Sequence, residues 1–183
     1  MTMFARRTVI ALACAALLAG CTAREEIGAV PSELTDFKIG HIAVVTKDMV
    51  KSPVSRDASE AEWQAVLDKA LKDRFKRFEG ETFYHLGVAV DGYAIAPPGI
   101  PLVMSPKSVL IVSVSLFADR PGAPRLNEKI EQITVFEEFS GETALGSGLT
   151  RTKEQQMAVL AQNAATAIEK WLAANPQLLR KTP

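Results

Sequence analysis

Lys107-Ser-Val-Leu-Ile-Val-Ser-Val-Ser-Leu-Phe-Ala118 decides the fold class. Successive side chains of a strand point to opposite faces, so Leu110, Val112, Val114 and Leu116 share one side while Ser113 and Ser115 share the other. One face is made for burial and the other is accessible, the pattern of an antiparallel sheet covered on one side. The preceding segment repeats it: Tyr84, Leu86, Val88 and Val90, with Ala94 further on, alternate with His85, Gly87, Ala89 and Asp91. Gly92 marks an irregularity in that strand. After the turn-forming Arg120-Pro-Gly-Ala-Pro124, residues Glu128 to Phe139 keep Ile130, Ile133, Val135, Phe136 and Phe139 and predict a further strand. Upstream, Phe37 to Thr46 is rich in β-branched residues, which predicts a strand with both faces partly covered. Lys47 to Arg56, with Pro53, reads as a loop.

Two helices complete the domain. Ser59-Glu-Ala-Glu62 is a capping box, in which the Ser59 hydroxyl accepts from a backbone N–H three residues on and Glu62 reaches back to the N–H of Ser59. Trp63, Val66, Leu67, Ala70, Leu71, Phe75 and Phe78 then recur at spacings of three and four, and Gly80 reads as a C-terminal cap. Thr152-Lys-Glu-Gln155 is a second capping box, followed by Met157, Leu160, Ala161, Ala164, Ile168, Trp171 and Leu172, with Asn175-Pro176 as the stop. The order β-α-β-β-β-α predicts an α+β two-layer sandwich, a four-stranded, mostly antiparallel sheet with both helices on one face. The domain is expected over 37–175, with a tail over 176–183.

The first twenty residues carry a different message. Arg6 and Arg7 precede an apolar run from Val9 to Leu18 of about ten residues, half of a membrane span and within the range of a secretion signal. The run ends in Leu18-Ala-Gly-Cys21. This resembles the lipobox of bacterial lipoproteins, in which the Cys thiol is diacylglycerated, the preceding bond is cut and the new N-terminus is acylated. The resemblance implies a signal peptide over 1–20, a lipidated Cys21 and a flexible tether to residue 36. Cys14 would leave with the signal, so the folded part would hold no thiol; intramolecular disulfides and Cys-based metal sites are excluded with it. The mature chain would hold nineteen basic and twenty-one acidic side chains, a near-neutral balance that argues against nucleic acid as a partner.

Chemistry within the domain is sparse. Neither His41 nor His85 lies at a metal-like spacing, and no metal or cofactor is expected. His41, in an apolar strand, reads as a partly buried structural residue. His85 and Asp91 share a face but stand about 20 Å apart along one strand at roughly 3.3 Å per residue. A site assembled from His85 with Ser113 or Ser115 on the neighbouring strand would make a small hydrolase, although no nucleophile-elbow pattern supports it. Gly141-Glu-Thr-Ala-Leu-Gly-Ser-Gly148 precedes a helix but lacks the Gly-Lys-Ser/Thr ending of a phosphate loop. Lys69, Lys72, Lys76 and Arg77 line one helix; they can meet anionic head groups or form a solvated face with Glu62, Asp68 and Asp73. Ala96-Pro-Pro-Gly-Ile-Pro-Leu-Val-Met-Ser-Pro106 is stiff and apolar where loops are normally polar. Ile100, Leu102, Val103 and Met104 either cover an end of the core or form a contact surface for a partner protein or the bilayer.

With the lipobox, the element order and a final helix ending Ala167-Ile-Glu-Lys-Trp-Leu172, the chain is similar to small lipoproteins of Gram-negative envelopes. These include the lipopolysaccharide-assembly lipoprotein that plugs the outer-membrane translocon, the auxiliary lipoproteins of lipid-transport ABC systems, and a large group without an assigned activity. The resemblance implies a non-enzymatic binding or accessory subunit, anchored on the periplasmic side by Cys21, with an envelope protein or lipid as partner. Thr22 in place of Asp after the cysteine implies, by the sorting rule of enteric bacteria, the inner leaflet of the outer membrane. The alternatives are the His85 hydrolase and a purely structural surface lipoprotein.

Overall fold

The computed structural model describes residues 29–97, 108–122, 124–137 and 151–180. A 3-10 turn at Ser32–Leu34 leads into β1 (Phe37–Val45) and β2 (Val50–Lys51), then α1 (Glu60–Phe75), β3 (Thr82–Ala94), β4 (Val109–Ala118), β5 (Glu131–Phe136), α2 (Lys153–Ala174) and a short α3 (Pro176–Leu179). The strands form one sheet in the order β1-β3-β4-β5, with β2 also on β3. The α+β class and the two packed helices are as the sequence predicts.

Two features refine that expectation. The sheet is mixed: β3 pairs antiparallel with β4 but parallel with β1, and α1 supplies the crossover that parallel strands require. A fifth strand, β2, lies within the segment read as a loop. It follows a turn at Asp48, whose positive φ of 64° is a conformation that Asp tolerates better than most residues.

The inner face of the sheet carries the alternation read from the sequence. Tyr84, Leu86, Val88 and Val90 of β3 and Leu110, Val112, Val114 and Leu116 of β4 are all buried. Against them pack Trp63, Leu67, Leu71 and Phe75 from α1, and Leu160, Ala161, Ala164, Ile168 and Leu172 from α2. Each large apolar side chain so buried contributes about 1.5–3 kcal/mol. Both capping boxes form as predicted, at Ser59 with Glu62 and at Thr152 with Gln155. Asn127, buried beyond β4, accepts from the Leu116 N–H and donates to the carbonyls of Val114 and Lys129, which fastens the β4–β5 connection.

The helices run side by side in the same direction, and charge pairs bridge both ends of the pair. At their N-terminal ends Lys153 reaches Glu62. Near their C-terminal ends the Glu169 carboxylate, 6% exposed, accepts from Arg74 Nε and Arg77 Nη2, each at 2.5 Å.

Packing extends beyond 37–175. Leu34 is buried in the core, and on α3 Leu178 is buried while the Leu179 carbonyl accepts from the Tyr84 hydroxyl at 2.8 Å. Both terminal segments therefore close the same end of the sandwich. Gly80 belongs to this junction and is not a helix cap: α1 ends at Phe75, and a Cβ on Gly80 would lie 2.1 Å from the Asp36 carbonyl carbon. Its N–H donates to the Phe37 carbonyl, and Asp36 accepts from the Glu81 N–H and the Thr82 hydroxyl.

Three outcomes follow from these contacts. Gly80→Ala forces backbone apart and lowers stability by about 1–3 kcal/mol or more, read as a shifted urea midpoint. Glu169→Ala leaves two guanidinium groups facing each other in a largely buried site and costs about 3–5 kcal/mol by the same measurement. Glu62 is held down to about 2 by the Lys153 ammonium and by the N–H and hydroxyl of Ser59, against an ordinary 4.5. Its contribution is complete above the unfolded-state value and is lost as pH falls through the folded one. The melting-temperature gap between wild type and Glu62→Gln should therefore close as pH falls from about 4.5 to about 2.

Candidate functional site

The outer face of the sheet is the open side of the domain. Its centre is lined with small residues, Gly87 and Ala89 of β3 beside Ser115 and Ser113 of β4, while Phe83 and Val45 stand exposed toward its ends. Among the described residues no helix packs on it.

His41 lies on this face and is exposed, which corrects the partly buried placement expected from its apolar neighbours. The cause is a bulge between Ile39 and His41. One extra residue flips the alternation, so Ile39 faces inward, His41 turns outward, and Ile42 and Val44 return to the core side. Gly40 in the bulge leaves room for the His85 ring, since a Cβ there would come within 3.2 Å of His85 Cε1. The two imidazoles meet edge-on, with ring centroids 6.3 Å apart.

His85 pairs with Asp119, Nε2 to Oδ1 at 3.0 Å, from the residue just past β4. Ser113 instead donates to Asp91 at 2.6 Å, and Gln132 of β5 donates to the same carboxylate oxygen at 2.8 Å. The His-Asp pair and the Ser-Asp pair are thus separate. Ser113 opposes Ala89 and Ser115 opposes Gly87, and among the described residues no serine hydroxyl is hydrogen-bonded to His85. Asp91 sits in the predicted irregularity, a bulge between Val90 and Gly92. Among the described residues no group of three or more His, Cys, Asp or Glu side chains converges as metal ligands.

The basic row on α1 is neutralised in place. Lys69 and Lys76 pair with Asp73, and Lys72 pairs with Asp68, while Arg77 turns inward to Glu169 and lies 5.0 Å over the Phe78 ring. Such exposed pairs leave a solvated surface with little net field. Beside this helix, a groove of about 550 Å³ runs along the outer edge of β1, lined by His41, Ala43, Ala61, Gln64, Ala65 and Asp68 among others.

A polar cluster not anticipated from the sequence lies at the end of the sheet where β3 finishes and β4 begins. Glu137 is buried and accepts from Arg151 at 2.9 Å, while its N–H donates to the Ser108 carbonyl. The Ser108 hydroxyl accepts from the Ala96 N–H, and Gln156 donates to the Ala96 carbonyl. Arg56 donates to the Arg151 carbonyl at 3.3 Å. These bonds tie together the chain on either side of 98–107 and of 138–150. The one clue in the sequence is an acid directly after the apolar Val135-Phe136, which reads as a strand ending in solvent until its partner is known. Cys21, the residues Ile100, Leu102, Val103 and Met104, and the glycines 141, 146 and 148 lie outside the described residues.

No protein-family model matches the chain. No curated protein matches it in sequence. Among solved structures, a protein of Caulobacter crescentus CB15 named as a candidate lipoprotein is similar at 18% identity and a TM-score of 0.41, over 85% of this chain and 99% of that one. Protein CT253 of Chlamydia trachomatis is similar at 8% identity and a TM-score of 0.42, over 76% and 97%. The PelC dodecamer of Paraburkholderia phytofirmans is similar at 11% identity and a TM-score of 0.35, over 71% and 89%. The likeness is distant and concerns the fold only, so no residue or partner is transferred from it.

Proposed function

We propose that this chain is a lipid-anchored protein of the bacterial envelope that works by binding, as an accessory subunit in envelope or lipid assembly. The observation that carries the reading is the sequence Leu18-Ala-Gly-Cys21, placed after a cationic start and an apolar run and eight residues before the first described residue, Ala29. Several acyl chains at one cysteine hold a protein on a membrane firmly, because each buried CH₂ contributes about 0.8 kcal/mol. Thr22 favours the inner leaflet of the outer membrane. The open sheet face and the hydrogen-bonded residues on either side of 98–107 and 138–150 fit a binding role, in which rigid elements present a surface and need no nucleophile.

A second reading, a small hydrolase, has the His85–Asp119 pair in its favour. It would need a nucleophile brought to His85 from outside the described residues.

Metabolic labelling with an alkyne analogue of palmitate in a Gram-negative host separates the outcomes. Wild type should label and sediment with membranes, and Cys21→Ala should do neither; label retained on Cys21→Ala would remove the anchor. Crosslinking on intact cells should then trap an envelope protein or lipid on wild type, and the triple change of Ile100, Leu102 and Met104 to Ser should weaken that product. Ester or glycan hydrolysis that disappears in His85→Ala would replace binding with the second reading.

A further inference from the structure

The described geometry fixes which end of the domain can be planted on a membrane. The chain enters the fold at one end of the sheet: Leu34 is buried, its N–H donates to the Pro31 carbonyl, and Phe37 is in register with Thr82, the first residue of β3. The far end of β3 is twelve residues on at Ala94, in register with Val109. At roughly 3.3 Å per residue this is about 40 Å away. Pro97 and Ser108, which flank 98–107, lie beyond that far end, as does the Glu137–Arg151 pair that braces them.

Exposed apolar side chains do not choose between the ends: Val50, Val54 and Phe136 stand at the far end, Val30 and Phe83 at the end where the chain enters, with Val45 and Ile130 along the edges between them. Chain length does choose. Cys21 is eight residues from Ala29, a reach of at most about 29 Å when fully extended. A domain inverted onto its far end would need a tether running the full 40 Å or so back along the sheet.

We propose that the anchored domain meets its own bilayer at the end formed by the Ser32–Leu34 turn, α3 and the Arg120–Gly122 turn, and holds its far end away from that bilayer. This rests on the lipidation of Cys21. Chemistry at the near end agrees with head-group contact: Lys38 lies over the ring of Phe83, Nζ 5.0 Å from the centroid, an apolar body beside a cationic head. Glu33, Glu79 and Glu81 offset Lys38, Arg120 and Arg180 at the same end, so the contact is set by the tether and not by net charge. Lying flat is disfavoured on both sides, since the helix surface carries paired charges and the outer sheet face carries Asp91 and Asp119. The far end, with 98–107 rooted in it, is thereby presented to a partner that is not the anchoring leaflet.

With Cys21 lipidated, the mature chain has no other cysteine, so single reporters are simple to place. Arg120→Cys reports the near end, and Val54→Cys with Val50→Cys report the far end; all three positions are exposed. The full-length lipidated variants are labelled with a solvent-sensitive fluorophore and reconstituted into phosphatidylcholine vesicles carrying a doxyl-labelled lipid. Emission should be lost at position 120 and retained at 50 and 54, without dependence on added anionic lipid. Protein that floats with the vesicles but is quenched equally at both ends, or more at 54, overturns the orientation and leaves the anchor standing. Full-length protein that comes from the Gram-negative host with no acyl chain on Cys21 and fails to float overturns the anchor, and the orientation with it.

Discussion

Pairing of β3 along both edges is the constraint from which the rest of the structure follows. On one side β1 runs parallel to it, so the chain between them must cross over the sheet, and α1 is that crossover. On the other side β4 runs antiparallel and needs only a local connection. Register on both sides places Leu86 beside Ile42 and Leu116, and Val88 beside Val44 and Val114, so one face becomes continuous across three strands. A slip of one residue would turn each of these side chains to the open face and bring Gly87, Ala89 and the serines under the helices. Helix packing, the core and the open face are consequences of one register.

Much of this was legible because the patterns are local. Alternation in β4 and the two capping boxes each lie within a few residues of one another, and the structure places them as their chemistry predicts. Strand direction was not legible, since alternation reads the same for parallel and antiparallel partners. The position of His41 depends on one extra residue at Gly40, a glycine inside a strand as Gly92 is, and only the pairing with β3 shows that a bulge stands there. Gly80 follows a helix and so has the appearance of a cap, yet its lack of a side chain matters because Asp36 passes against it from a segment 44 residues earlier. In each case the missing information was the identity of a distant partner.

The candidate site shows the same division. The resemblance of Leu18-Ala-Gly-Cys21 to a lipobox is carried by a linear stretch and can be read without a fold. The histidines, serines and aspartates can be combined on paper in several ways, and only the register decides among them. It gives Asp119 to His85 and Asp91 to Ser113, two pairs held by different strand positions. Hydrogen-bond geometry of this kind stiffens the outer face, since each carboxylate fixes a side chain of a neighbouring strand or its flank.

The two ends of the helix pair differ in what their charges accomplish. Glu169 is enclosed with Arg74 and Arg77 close to the Ser32–Leu34 turn and α3, so the end where the chain enters the fold is closed by ion pairs as well as by Leu34 and Leu178. At the other end the enclosed carboxylate, Glu137, joins residues that flank 98–107 and 138–150. Buried ion pairs add little net stability over apolar packing, but breaking one is costly, so they select one arrangement over its neighbours. At the end where the chain enters, the arrangement selected is the packing of Leu34 and α3 against the core. At the far end, the arrangement selected is the relative placement of the four chain positions that flank 98–107 and 138–150.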